Sequence, residues 1–429
     1  MILRDPVHGL VAFESEEADV VVRLLETREV QRLRRIRQLG LTSLAFPGAE
    51  HTRFSHALGA AHVMQLLVAR LRHIDVDLPF WQRVTSDRAR EAIAAAMLHD
   101  LGHGPFSHLF EQALPRAQRH EKWTTRILLD PSSEVHGVLA AEAPGLPRRV
   151  ADLVEGRHEL PYLANAVSGL FDVDRCDYLL RDARATGVTY GDYDLPWLLR
   201  SLRFDVTSDD PDHAPGLAVD GMKGITAIES FLLARLFMFQ QVYFHKSTRA
   251  AETMIRLIIR RAVDLVAAGA KLPVHIAAVD AAAGGGEPTL DQYLELDDQA
   301  LLVAIHAWEE AKDPVLADLS RRLRARSLFK TIELGDVETD IPAERAHAIA
   351  RELATTRGLD PDAYVALDHA TDTPFPGNSA LKVIFPDGRS RDLADVSFLL
   401  GRLKGQPLVR TRLIFAAELR DDLRRALAS

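Results

Sequence analysis

The sequence predicts a mainly α fold: a large helical body that carries a small β-hairpin, followed by a smaller α+β subdomain. Three observations predict it. Apolar residues recur at spacings of three and four through most of the chain before about residue 324. From about Arg324 the pattern changes to short apolar runs bounded by turn residues. The length, 429 residues, exceeds what one ordinary core accommodates. The division is placed at 323/324, giving a helical domain over 1–323, with its functional core at about 50–185, and an α+β subdomain over 324–429.

The elements follow in order. "SEEADVVVRLLETREVQRLRRIRQLG" has helical spacing and a glycine stop at Gly40. "HALGAAHVMQLLVARLRHI" and "DRAREAIAAAMLHDLGH" continue it, the second with Asp87 as its expected N-cap. "HEKWTTRILLD" and "VSGLFDVDRCDYLLRDARATG" read as helices, and the run from Gly224 to Gly269 as two helices or one kinked helix. "LRFDV" and "GLAVD" flank "TSDDPDHAP" and predict a hairpin with an exposed loop. "DAAAGGGEPTL" reads as a flexible connection. Beyond it, "SLFKTIEL", "YVALDHA", "ALKVIFPDGRSRDL" and "LVRTRLIFAAEL" read as strands, with helices at "ERAHAIARELATTRG" and "DVSFLLGRLKG".

Composition narrows the function classes. The net charge of -9 disfavours a broad nucleic-acid surface, yet a small polyanion needs only a local positive pocket. One cysteine, Cys176, rules out an intrachain disulfide framework and predicts a small packing role for itself. "MILRDPVHGL" lacks the features of a signal peptide, and no run of about 18 uncharged apolar residues predicts a membrane span. The expectation is a cytoplasmic protein with no membrane partner.

The chemistry concentrates in "MLHDLGHGPFSHLFE", residues 97–111. His99 and Asp100 are adjacent, and on a regular helix His103 shares a face with His99. His56 in "HTRFSHALG" and Asp174 in "FDVDRCDYLLRD" complete a set of two imidazoles and two carboxylates that suits a divalent metal and leaves positions open. Gly102, Gly104 and Pro105 are expected to end the helix where a ligand needs backbone room. An isolated His-Asp dipeptide more often hydrogen-bonds in a core. The longer string with its upstream and downstream partners reverses that balance. A metal with arginines would neutralise a phosphorylated substrate, and His108, with Glu111 three residues on, is the candidate donor of a proton to a leaving oxygen.

These strings, with "DPVHG" at Asp5, "QRLRRIRQLG", "HEKWTTRIL" and "VYFHK", resemble the HD-domain metal-dependent phosphohydrolases, and within them the dNTP triphosphohydrolase branch. The likeness covers about the first 260 residues in order. It implies an HD-type helical core and hydrolysis of deoxynucleoside triphosphates to deoxynucleoside and inorganic triphosphate. It implies metal ligands at His56, His99, Asp100 and Asp174, the ion being Mn, Fe, Mg, Zn or Co. It implies phosphate contacts at Arg53, Arg175, His103, His120, Arg235 and Lys246, with His108 and Glu111 near the 5′ oxygen. Gln38, Leu39, Tyr178, Asp182 and Tyr243 match a deoxyribose pocket. Glu26, Gln31 and Arg34 match part of a site for an activating nucleotide, and the branch implies a homo-oligomer, dimer or tetramer. Two positions depart from the vertebrate pattern: Arg175 stands for a lysine, changing hydrogen-bond geometry, and Phe239 for a histidine. The alternatives are another HD phosphohydrolase, a nucleotidase or phosphodiesterase, or a non-catalytic nucleotide sensor.

Overall fold

Three helices build the centre: Arg53–Ile74, Ser86–Leu98 and Val173–Thr186. In this computed structural model, residues 76–77, 115–117, 207–214, 336–340, 378–380 and 428–429 and the side chain of His108 lie outside the described residues. The helices approach closely because their facing residues are small. Ala57, Ala60, Ala61, Ala94, Ala95 and Ala96 are all fully buried. Met64, Leu67, Met97 and Leu98 fill the remaining space. Thr85, two residues before the expected Asp87, caps Ser86–Leu98, its side chain accepting from the Arg88 N–H at 3.3 Å. Thr85 has the extended backbone an N-cap requires, whereas Asp87 already lies within the first turn.

Three segments differ in detail from the sequence reading. The first expected helix is broken into Asp19–Leu25, Arg28–Arg32 and a tight turn at Leu33–Arg35. The Thr27 hydroxyl donates back to the Leu24 carbonyl at 2.7 Å at the first break. The long apolar run becomes two helices, Ile225–Met238 and Lys246–Ala267, joined by a π-type turn at Phe239–Tyr243. The flexible connection contains a helix, Ala277–Ala283, before its glycines. The stretch Ile225–Tyr243 is long and apolar enough to cross a membrane by length and composition. Here it buries Ile228, Phe231, Leu232 and Met238 in the main core.

The hairpin Leu202–Asp205 with Gly216–Asp220 forms, its loop lying outside the described residues. It gains two strands from far along the chain: Gly216–Asp220 pairs in parallel with Lys382–Ile384, which pairs with Ser390–Asp392. A second sheet places Leu408–Phe415 between Lys330–Leu334 and Val365–Asp372, all antiparallel. One face of it packs Ile332, Leu413 and Phe415 on Ala346, Ala350 and Ala354 of the helix Ala343–Thr356. Ile414 points the other way, into the main core. Strands and core residues therefore cross the division at 323/324.

Gly59 shows how tightly the centre is fitted. A Cβ there would collide with the carboxylate of Asp177 and the guanidinium of Arg181. An ordinary helical Gly→Ala change stabilises by about 1 kcal/mol. Gly59→Ala is instead expected to destabilise by on the order of 1–3 kcal/mol through overpacking, and to weaken metal binding. Thermal unfolding with and without Mn²⁺ reads both effects, and an unchanged or raised Tm contradicts the assignment.

Candidate active site

Each central helix presents its reactive groups near an end. Arg53 and His56 occupy the first turn of Arg53–Ile74, whose start is pinned by the Arg53 N–H donating to the Ile36 carbonyl at 2.9 Å. Asp174 occupies the first turn of Val173–Thr186, capped by Asp172, which accepts from the Arg175 N–H at 2.8 Å. Ser86–Leu98 stops just before the doublet, so His99 is its C-cap.

The expectation that His103 sits one helical turn above His99 is therefore corrected. After Leu98 the chain makes two tight turns, with Leu101 N–H donating to the Leu98 carbonyl and His103 N–H to the Asp100 carbonyl, each at 3.1 Å. The Gly102 N–H is taken by the Thr124 hydroxyl at 2.9 Å and its carbonyl by the Tyr293 hydroxyl at 2.7 Å. A Cβ at Gly102 would strike the backbone of His120 and Thr124. The glycine makes room for the helix His120–Leu129, not for a ligand. Phe106 and Ser107 then adopt φ of 52° and 61°, a strained pair for non-glycine residues. Asp298 holds them by accepting from the Phe106 N–H at 2.8 Å, and Arg53 donates to the Ser107 hydroxyl at 2.6 Å.

Two donor groups result. His56, His99 and Asp174 place one ligand atom each within 4.8 Å of one another, and so do Asp100, His103 and His120. Asp174 Oδ1 lies 3.1 Å from His56 Nε2 and 3.4 Å from His99 Nε2. Asp100 stands between the groups: it pairs closely with Arg53, 3.4 Å from His99 Nε2 and 3.3 Å from His103 Nδ1. The other ring nitrogens are already engaged. His56 Nδ1 lies 2.8 Å from Asp177 Oδ2, and His99 Nδ1 2.8 Å from the Ala96 carbonyl. Each Nδ1 thus donates to its oxygen partner and each Nε2 faces Asp174; with a metal bound and the imidazoles neutral, each Nε2 would present its lone pair to the ion. That donor set fits a divalent cation held by imidazole nitrogen and carboxylate oxygen.

The electrostatics agree. Burial disfavours a charged His56, yet Asp174 and Asp177 raise its pKa to about 10. Burial likewise opposes, and Asp100 and Asp174 outweigh it, in raising His99. Against burial, Arg53 and the two imidazoles hold Asp100 at about 2 and His56 and His99 hold Asp174 well below the usual range. Two ionised carboxylates in a buried place draw positive charge into it, which a metal supplies with the imidazoles neutral.

The residues expected around the metal fall into several places. Gln38, Leu39, Arg53, Tyr178, Asp182 and Tyr243 line one cavity of about 350 Å³, together with Phe239. There Asp182 accepts from the Tyr243 hydroxyl at 2.8 Å and lies 2.7 Å from His51 Nε2. Gln38 Oε1, buried in its wall, has no hydrogen-bond partner among the described residues. Glu111 accepts from both the backbone N–H and Nδ1 of His120, each at 3.1 Å, and the His120 ring stacks on His103 at 3.8 Å. His108 begins the helix His108–Ala113, its side chain outside the described residues. Arg175 and Arg235 line a different cavity, of about 500 Å³. Arg175 is tied to Asp172, and Arg235 to Asp372 at 2.7 Å. Lys246 is exposed at the start of its helix and does not line the 350 Å³ cavity. Gln31 bonds Arg34 at 2.8 Å on an exposed face beside Phe54, and Glu26 is exposed, none of the three joining the donor groups.

Comparison with known proteins decides the family. Residues 53–182 match the HD domain and 213–428 the HD associated region, the latter half of the chain. The uncharacterized protein YwfO of Bacillus subtilis is 34% identical over 98% of this chain and 93% of its own length. The chain belongs to the HD-domain phosphohydrolases. A phosphohydrolase crystal structure from Bacteroides thetaiotaomicron superposes with TM-score 0.80 at 28% identity, over 97% of this chain and 99% of that one. The deoxynucleoside triphosphate triphosphohydrolase SAMHD1 of Bos taurus is 27% identical over 84% of this chain, which spans 63% of that protein.

Within this HD-domain hydrolase, the residue that sequence reasoning missed is Asp177. It is fully buried and accepts from His56, from Arg181 twice at 2.8 Å, and lies 2.6 Å from His8 Nε2. Arg181 also donates to Asp5 at 2.8 Å. The sequence offered only the i,i+4 spacing of Asp177 and Arg181; the pairing with His56, 121 positions away, was not visible in it.

Asp177→Asn is expected to weaken metal binding about 10–100-fold, as loss of the group orienting a ligand imidazole does. It should also destabilise by about 3–5 kcal/mol, because buried Arg181 is left with Asp5 as its one remaining carboxylate partner among the described residues. Metal titration and denaturant unfolding measure the two, and unaltered metal affinity removes Asp177 from the site. A pH effect follows from Asp298, whose carboxyl burial raises from 3.8 to about 6. A raised folded-state pKa gives stability that is present below the unfolded value and lost as pH rises through the folded one. Unfolding free energy of the wild type relative to Asp298→Asn should therefore fall between about pH 4 and pH 6.

Proposed function

We propose that this HD-domain hydrolase cleaves deoxynucleoside triphosphates into deoxynucleoside and inorganic triphosphate, using a divalent metal. The observation that carries the reading is a shared wall. Arg53 pairs with Asp100 of the donor groups and also lines the 350 Å³ cavity. Tyr178, on the same cavity, sets its ring 6.5 Å from His56. A sugar seated among Gln38, Tyr178, Asp182 and Tyr243 would hold its 5′ phosphate at the donor groups. The name of the SAMHD1 relatives adds support.

His56, His99 and Asp174, with Asp100 beside them, would hold the metal. A bound divalent cation would supply charge neutralisation and Lewis acidity at the α-phosphate. The chain's own groups do the rest. Arg53 neutralises phosphate charge while staying oriented by Asp100. His103 and His120, stacked and steadied by Asp100 and Glu111, contact the phosphates. A water attacks the α-phosphorus, forming the new P–O bond as the bond to the 5′ oxygen breaks, and His108 protonates that departing oxygen, since imidazole exchanges protons near neutral pH. The paired Asp182 and Tyr243 present a fixed polar wall to the sugar, where an extra hydroxyl would disturb a buried hydrogen bond.

Hydrolysis of a panel of dNTPs and NTPs with Mn²⁺, Mg²⁺, Fe²⁺ and Co²⁺ tests this. Deoxynucleoside and triphosphate should appear in equal amounts. Asp174→Ala should lose bound metal, and its turnover should fall to background. Release of monophosphate, pyrophosphate or orthophosphate instead would falsify the assignment, and turnover by Asp174→Ala removes that residue from the site.

A further inference from the structure

A second cavity, of about 780 Å³, lies between the helix Arg53–Ile74 and the helix Leu195–Arg200, with His8 at one wall. Its polar lining is cationic or able to become so: Arg70 and Arg200, and the imidazoles of His8, His62 and His73. No carboxylate is among its described lining residues. In a chain of net charge -9 that is not the background composition. Elsewhere in the structure arginines find acids readily: Arg203, next along from these, bonds Asp220 at 2.6 Å, and Arg72 bonds Glu17 at 3.0 Å. Among the described residues, Arg70 has only the Leu202 carbonyl, at 2.9 Å from Nη2, and its buried Nε has no hydrogen-bond partner. The buried Nδ1 of His62 has none either. Burial and the neighbouring cations Arg203 and Arg200 both press against the charge on Arg70, and burial and His8 against that on His62. The remaining walls are apolar: Leu66, Tyr193, Pro196 and Leu199.

Buried polar nitrogens without hydrogen-bond partners, two arginines with no carboxylate in the lining and a volume typical of small-molecule sites are one set of conditions. An anion meets them, and the apolar walls require that it carry an apolar or aromatic body. We propose that this cavity is a binding site for a small phosphorylated organic molecule, seated with its phosphate between Arg70 and Arg200 and its apolar part against Tyr193 and Leu199. The site is separate from the 350 Å³ cavity, with which it shares no lining residue.

The probe is phenyl phosphate, titrated calorimetrically in EDTA so that the donor groups hold no metal. Saturable binding is expected to the wild type and equally to Arg53→Gln, whose missing cation belongs to the other cavity. Arg200→Gln, an exposed position that folding does not need, should weaken it about tenfold, the scale of one charge-assisted hydrogen bond. Arg70→Gln should do so at least as strongly. Inorganic phosphate should bind more weakly than phenyl phosphate. The proposal fails if phenyl phosphate does not saturate, if Arg200→Gln binds it as the wild type does, or if Arg53→Gln loses it. None of these outcomes depends on whether the protein hydrolyses dNTPs.

Discussion

The carboxylate of Asp177 accepts four hydrogen bonds in a place that water does not reach: one each from His56 and His8, two from Arg181. A buried carboxylate is tolerable only with such company. The arrangement fixes more than itself. It fixes the ring of His56 with Nδ1 donating to Asp177, and so turns Nε2 toward Asp174. It fixes the distance between the helices Arg53–Ile74 and Val173–Thr186, which only Gly59 permits. Arg181 and Asp5 extend it to the first strand of the chain. The donor atoms are thus positioned by a charged network that reaches from His56 to Asp5.

The segment from His99 to Glu111 follows a different logic. It turns twice, passes through two left-handed residues and restarts as a short helix. None of this is favourable locally, and each departure has a distant restraint: Thr124 and Tyr293 on Gly102, Asp298 on Phe106, Arg53 on Ser107. The strain is borne by residues from four other parts of the fold. What it achieves is to bring Asp100, which a straight helix would have turned about 100° away from His99, between the two imidazole groups.

Much of this was legible in the sequence because the reactive residues are clustered there. "HDLGHGPFSH" carries His99, Asp100 and His103 within five positions, and the helical runs around it are strongly periodic. The class of fold and the C-terminal strands followed from the same periodicities. What was not legible has one cause. Asp177, Asp298 and Asp372 act on residues 121, 192 and 137 positions away, and spacing along the chain carries no sign of such pairs. The same holds for Gly102, whose need for glycine comes from His120 and Thr124 packed against it rather than from any ligand. Arg235, which the resemblance marks as a phosphate contact, pairs with Asp372 on a strand that joins it only in the folded molecule.

The N-terminal strand has a consequence for how the site is made. Asp5 and His8 leave a ribosome long before Asp177 and Arg181, yet they are fastened to nothing else as firmly. During synthesis the first strand must wait, its charges hydrated, while the helix bearing His56 and then the one bearing His99 emerge. The donor groups can take up this arrangement only after the chain has passed Arg181.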